Sequence, residues 1–248
     1  MNGPPIRRRG LVVFDVDGTL HDTSRWWPSV LRAGLVRFTA QTGLALDVPD
    51  DAAANAVVGM RDAGVWAPFL PQGHKDRWSE LRSVVLPMEV DVLRSGEDHL
   101  FPGVREILTT LRQLGIATAL ASNCRSAYFG GICEGQGLAA LTDWQFCLDS
   151  EGVRSKTDMV AFAMAAAGSV PAVMVGDREP DLEAARAVGI PFLWRPNPAC
   201  DLPSADGRWD GSLGSLLRGI SACGISFPAS EVPPPAREPR GPGPSSPR

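Results

Sequence analysis

The chain has 248 residues, ordinary apolar content and a formal net charge of −4, which is enough for one sizeable α/β core with an inserted second unit. A mildly acidic balance excludes a chain-wide electrostatic grip on nucleic acid, which needs a basic surplus, and suits a soluble intracellular protein handling a small molecule. The five cysteines (Cys124, Cys133, Cys147, Cys200, Cys223) form no C-x-x-C pair and read as free thiols of a reducing, cytoplasmic compartment, while three histidines are too few for a His-rich metal site.

Three arginines at 7–9 precede the apolar run 11–14, but Asp15 and Asp17 interrupt that run too early for an export signal. The run fits a strand buried on both faces, as in a parallel sheet. Gly18 then lets the chain leave the sheet sharply. Asp15 and Asp17 are two residues apart, so in an extended segment both side chains point the same way. They stand at the carboxyl end of the strand, where open α/β sheets bind ligands. An Asp-Gly pair alone is an ordinary turn; the run Asp15-Val16-Asp17-Gly18-Thr19-Leu20 after an apolar strand points instead to chemistry.

After Leu20, Trp27, Val30, Leu31, Leu35 and Phe38 recur at steps of three and four, giving an amphipathic helix stopped by Gly43. Asp50 or Asp51 caps an Ala-rich helix to Val58. Trp78, Leu81, Val84 and Val85 mark another helix, interrupted near Pro87. Residues 23–98 thus form a helical unit inserted after the first strand. A helix over 102–114, a strand over 116–121 ending at Ser122 and Asn123, a helix over 126–136 and a strand over 144–148 follow. Lys156 opens a helix to Ala167. A fourth strand, 172–175, ends in Gly176-Asp177. A helix over 181–188 is closed by Gly189, and 190–194 is a fifth strand. The uncharged stretch 159–175 is broken by Gly168, Ser169 and Pro171, and reads as helix, turn and strand, not a membrane span. Leu213, Leu216, Leu217 and Ile220 suggest a last helix. Residues 227–248, rich in Pro, Gly and Ser, read as a flexible tail. Strands alternating with helices imply a doubly wound parallel sheet. The domains are therefore 1–22 with 99–226 as the α/β core and 23–98 as the inserted unit.

The polar strand ends, Asp15/Asp17, Ser122/Asn123, Lys156 and Asp177 with Asp181, resemble in order the four motifs of the haloacid dehalogenase-like (HAD) superfamily, over roughly residues 11–194. The stretches around Tyr128 and from Gly176 to Phe192 resemble its phosphoglycolate-phosphatase-like branch, in which a helical cap closes over the substrate. The resemblance implies hydrolysis of a small phosphate monoester. Asp15 would attack phosphorus, and Asp17 would serve as general acid and base. Thr19, Ser122, Asn123 and Lys156 would bind and orient the phosphoryl group. Mg²⁺ would be held by Asp15, Asp177 and the Asp17 carbonyl, with Asp181 nearby. Asp181 is equally suited to cap its helix, and Lys156 stands in S-K-T-D where relatives often carry K-P. Arg25, Arg61, His74 and Arg178 are candidate specificity residues, with a solvated role as the ordinary alternative. His21 takes a place often filled by a smaller or apolar residue. Trp26, Trp27, Trp66 and Trp78 pack the inserted unit, and one of them could shape the substrate pocket. Cys124 reads as packed, not as a nucleophile.

A haloacid dehalogenase needs no acid at Asp17. A sugar-phosphate mutase would keep both aspartates. A non-catalytic binding protein of the same fold would ordinarily lack one of them. Neither nucleic acid nor membrane is an expected partner.

Overall fold

The computed structural model describes residues 8–198 and 200–232. Strand β1 (Gly10–Phe14) is central, as its unbroken apolar run requires. The helical insertion follows: α1 (Trp27–Thr42), α2 (Asp51–Ala56), α3 (Ala63–Trp66) and α4 (Trp78–Leu93). The chain then alternates through α5 (Val104–Gln113), β2 (Ile116–Ser122), α6 (Ser126–Gly135), α7 (Leu138–Leu141), β3 (Trp144–Cys147), α8 (Lys156–Ala167), β4 (Ala172–Gly176), α9 (Glu179–Val188) and β5 (Phe192–Trp194). It ends in β6 (Gly207–Arg208) and α10 (Leu213–Ala222). The six strands order as β3-β2-β1-β4-β5-β6, and every pair is parallel.

Alternation along β1 feeds two apolar cores. Leu11 and Val13 face α8 and α9, where Met159, Val160, Ala163 and Ala185 are buried. Val12 and Phe14 join the larger cluster with α5, α6, α10 and the insertion. Both faces are thus covered, as a parallel sheet requires.

Pro87 does not interrupt its helix: α4 runs through it to Leu93. Pro87 is solvent-exposed, so the carbonyl it leaves without a helical partner lies on the wet side. A proline inside a helix costs about 3 kcal/mol. The buried Leu81, Val85 and Leu93 each return about 1.5–3 kcal/mol, which outweighs it. Two short elements, α7 and β6, carry too few residues for periodicity to reveal them. Phe227 and Val232 pack against the larger core, and Glu231 pairs with Arg9 at 2.7 Å. The rest of the expected tail, 233–248, lies outside the described residues. Among the described residues no helix is long and apolar enough to cross a membrane, and all five cysteines are free thiols.

Candidate active site

The register sets Phe14 level with Leu120 and Val175, so β1, β2 and β4 release their polar ends along one edge of the sheet. Asp15 donates its N–H to the Val175 carbonyl at 2.9 Å, holding the chain in line one residue past the strand. Gly18 then turns with φ +85°, and a Cβ there would collide with the Asp177 carboxylate. Gly176 is equally confined: a Cβ would overlap the Asp181 side chain. Two glycines therefore let three carboxyls come together.

Asp15, Asp177 and Asp181 are all buried, with one carboxylate oxygen from each within 4.8 Å of the others. Lys156, the first residue of α8, reaches them from below. Its Nζ donates to Asp15 Oδ1 and to Asp181 Oδ1, each at 2.6 Å. Ser155 caps α8 by accepting from the Asp158 N–H at 3.2 Å, which fixes where the lysine departs. The other Asp181 oxygen accepts from the N–H groups of Asp177 (3.1 Å) and Arg178 (3.0 Å). Both readings of Asp181 are thus met at once, since it caps α9 and joins the cluster. Thr19 Oγ1 lies 3.1 Å from Asp15 Oδ2 and 3.4 Å from Asp177 Oδ1. Asn197 donates to Asp177 from the far side.

The charges do not balance: three carboxyls face one ammonium, that of Lys156, and one guanidinium, that of Arg178, whose Nε lies 3.9 Å from Asp177 Oδ2. Burial pushes the Asp15 carboxyl well up; Lys156 opposes this, while Asp181 and Asp177 reinforce it. Burial and Asp181 likewise lift Asp177 to about 6. Burial works against the Lys156 ammonium, yet Asp15 and Asp181 more than offset it and hold its pKa up. The surplus negative charge and the all-oxygen donor set of Asp15, Asp177 and Asp181 fit a hard divalent cation.

Asp17 turns the other way, into a cavity beneath the insertion, which it shares with Thr23, Trp27, Trp66, Glu89 and Tyr128. Its Oδ1 accepts from Thr23 Oγ1 at 2.5 Å and from the Tyr128 hydroxyl at 2.8 Å, and its Oδ2 from the Cys124 thiol at 3.1 Å. His21 Nδ1 stands 2.9 Å from Thr23 Oγ1, so with the Thr23 proton committed to Asp17 the imidazole is the donor there. Burial pushes the Asp17 carboxyl up, but hydrogen bonding with His21, Thr23 and Cys124 overcomes it and holds the group below its ordinary range. Burial and the neighbouring Asp17 push the Cys124 thiol well up, which suits a donor and not a nucleophile.

Of the sequence candidates, Asp15, Thr19, Lys156, Asp177 and Asp181 meet in one cluster. Asn123 lines the Asp17 cavity and donates to the Gly59 carbonyl at 3.2 Å. Ser122 is buried at the end of β2, where its Oγ accepts from the Cys124 N–H at 3.2 Å; no hydrogen bond joins it to the cluster. Of the basic specificity candidates only Arg178 touches the cluster, with its Nε 3.9 Å from Asp177 Oδ2. Arg25 donates to the Asp98 carbonyl, Arg61 to that of Arg154, and Arg178 to those of Asn55 and Ala56. None of these, nor His74, lines the Asp17 cavity. Trp27 and Trp66 do, whereas Trp26 packs against His21, His99 and Tyr128. Sequence reasoning missed Glu89, although it continues the four-residue spacing of Leu81 and Val85 on the buried face of α4.

A family model for haloacid dehalogenase-like hydrolases matches residues 10–189. The chain is 29% identical over 185 residues to the tyrosine-protein kinase PtkA of Mycobacterium tuberculosis, a match spanning 73% of this chain and 60% of that protein. It is 30% identical over 191 residues to a phosphoglycolate phosphatase of Pseudomonas putida, spanning 73% of this chain and 66% of that one. The crystal structure of CbbY from Rhodobacter sphaeroides in complex with phosphate aligns with a TM-score of 0.66 at 20% identity, over 85% of this chain and 98% of that one. At that identity the likeness is one of fold.

Proposed function

The chain belongs to the haloacid dehalogenase-like hydrolases, and from that premise we propose that it is a Mg²⁺-dependent phosphatase of a small phosphate monoester. The observation that carries this reading is the meeting of Asp15, Asp177 and Lys156, which come from β1, the end of β4 and the start of α8. Two relatives named phosphoglycolate phosphatase, at 24% and 30% identity, support the reaction class.

In this reading an Asp15 carboxylate oxygen attacks phosphorus, and the bond from phosphorus to the alcohol oxygen breaks. Asp17 gives a proton to that departing oxygen. Water then attacks the aspartyl phosphate, Asp17 takes the water proton, and the bond to Asp15 breaks, releasing inorganic phosphate. The hydrogen bonds to Asp17 keep it ionised in the free protein. A monoester dianion beside it works in the opposite direction, so the proton is taken up with the substrate. Lys156, Ser122 and Thr19 bind and orient the phosphoryl oxygens, and Asn123 holds the insertion near them. Asp15, Asp177 and the Asp17 carbonyl would hold Mg²⁺, which when bound would offset the repulsion between a carboxylate nucleophile and an anionic ester. Residues 23–98 serve as the cap that excludes bulk water. The free thiols suit a cytoplasmic location.

Phosphate release measured over a panel of monoesters, with and without Mg²⁺, tests the proposal. Asp15→Asn is expected to abolish release, with the circular dichroism of the fold unchanged. Wild-type turnover in that variant would refute it. Recovery of an isomer in place of inorganic phosphate would show a mutase instead.

A further inference from the structure

Glu89 is out of place by the logic of its own helix. The buried face of α4 runs Leu81, Val85, Glu89, Leu93, one residue per turn, and three of the four are apolar. Glu89 is 5% exposed, and among the described residues its carboxyl makes no hydrogen bond and no ion pair. A leucine would fill such a stripe with no desolvation penalty, so stability does not explain the glutamate.

Its surroundings do. Glu89 lines the cavity that holds Asp17, walled by Trp27 and Trp66, whose rings meet edge to face at 5.5 Å. A second acceptor in this cavity also lacks a partner: buried Asn123 gives its NH₂ to Gly59 and leaves Oδ1 unpaired. Two cations line the same cavity: Arg82, two turns before Glu89 on α4, and Arg125, which is paired with Asp62 and Asp149. The cavity therefore offers two unmet acceptors, one a carboxyl and one an amide oxygen, beside the carboxyl of Asp17. Burial, with Asp17 acting the same way and Arg82 against it, lifts Glu89 to about 8. In either protonation state the group still accepts through an oxygen.

We propose that Glu89 is a substrate-binding residue that, with Asn123 Oδ1, accepts hydrogen bonds from a hydroxyl or amine on the alcohol portion of the monoester. The substrate class is then a small polyol or amino-alcohol phosphate, and a carboxylated ester is disfavoured because it adds a further acid beside Asp17 and Glu89. This rests on the phosphatase reading above and names the group that its leaving-group cavity selects.

The test compares kcat/KM of the whole 248-residue chain with Mg²⁺ on four esters of similar size: glycerol phosphate, phosphoethanolamine, 2-phosphoglycolate and propyl phosphate. Wild type should favour glycerol phosphate or phosphoethanolamine over propyl phosphate by roughly ten-fold or more, because an unmet buried acceptor penalises a ligand without a donor. The better of those two identifies the donor as hydroxyl or ammonium. In Glu89→Leu the preference should collapse to within about three-fold. The same variant should melt at a higher temperature than wild type, an outcome that a structural glutamate would reverse. Release from propyl phosphate with an unchanged preference in the variant would overturn the role of Glu89 and leave the phosphatase reading standing. So would a preference for 2-phosphoglycolate that Arg82→Ala removes and Glu89→Leu spares. No release by wild type from any ester would overturn both.

Discussion

Three carboxyls against two cations, the Lys156 ammonium and the Arg178 guanidinium, give the site its character. Each carboxyl is buried, and an uncompensated buried anion is costly, so the native state is poised to gain from a cation. Millimolar Mg²⁺ is expected to raise the melting temperature by several degrees, as any ligand that binds only the folded state does. Asp177→Asn should lose most of that shift; an equal shift in the variant would remove Asp177 from the ligand set. At this scale much could be read from the chain. Asp15, Asp17 and Thr19 stand within five residues at the end of β1, but the common direction that strand geometry predicts for two residues at i and i+2 does not hold, because the strand ends at Phe14 and Asp17 turns into the cavity while Asp15 meets Lys156. Lys156 and Asp177 could be placed only on the same edge, because their contact with Asp15 depends on side-chain reach across 141 and 162 residues. The donors to Asp17 were beyond reach. Thr23, Cys124 and Tyr128 come from two separate segments, and no local pattern says that three hydrogens converge on one carboxylate.

Among the elements, α4 departs most from expectation. Proline is a dependable stop only where its missing hydrogen bond would be buried or where no tertiary packing opposes the break. Here the apolar stripe continues past it to Leu93, and Leu93 lies against Gly131 and Gly135 of α6, so the far half of the helix is anchored. Pro87→Ala should stabilise the protein by about 1–2 kcal/mol, the helix gain less what the freer unfolded chain takes back, measured as a shift in urea midpoint. A destabilised variant would mean that the ring itself packs. The expected interruption near Pro87 also hid Glu89, because a break there removes the four-residue spacing that carries residue 89 onto the buried face. Long elements with caps were legible: Gly43 and Gly189 close α1 and α9 in the left-handed region, and Asp50 accepts from the Ala53 N–H at 2.7 Å to start α2. The short α7 and the two-residue β6 exist only because neighbouring elements hold them.

Across the molecule, the insertion is joined to the core twice, at one place. Asp22 donates to the His99 carbonyl at 2.7 Å, and Phe101 to that of Leu20 at 2.9 Å, so the outgoing and returning chains run side by side. Away from this junction, the loop from Asn55 to Asp62 is fastened over the sheet edge by Arg178, Asn123 and Arg125. Arg125 is bidentate to Asp62 at 3.0 and 3.1 Å and also holds Asp149 at 2.8 Å, while Asp62 sits at a strained φ of +43°. The Arg125 guanidinium is 42% exposed, so the pairing contributes only about 1 kcal/mol and weakens with salt. Arg125→Ala should accelerate amide hydrogen exchange over residues 55–62 by roughly five-fold, and high salt should do the same to wild type. Unchanged protection would show that Arg178 and Asn123 suffice. The paired strands at the junction carry a mechanical consequence. Two adjacent tethers resist twisting and sliding but permit a swing about the line through them, as in a door on a pair of pins. The loop fastened by Arg125 is then the free edge of that door, and in the proposed function turnover should not exceed the rate at which this loop unlatches.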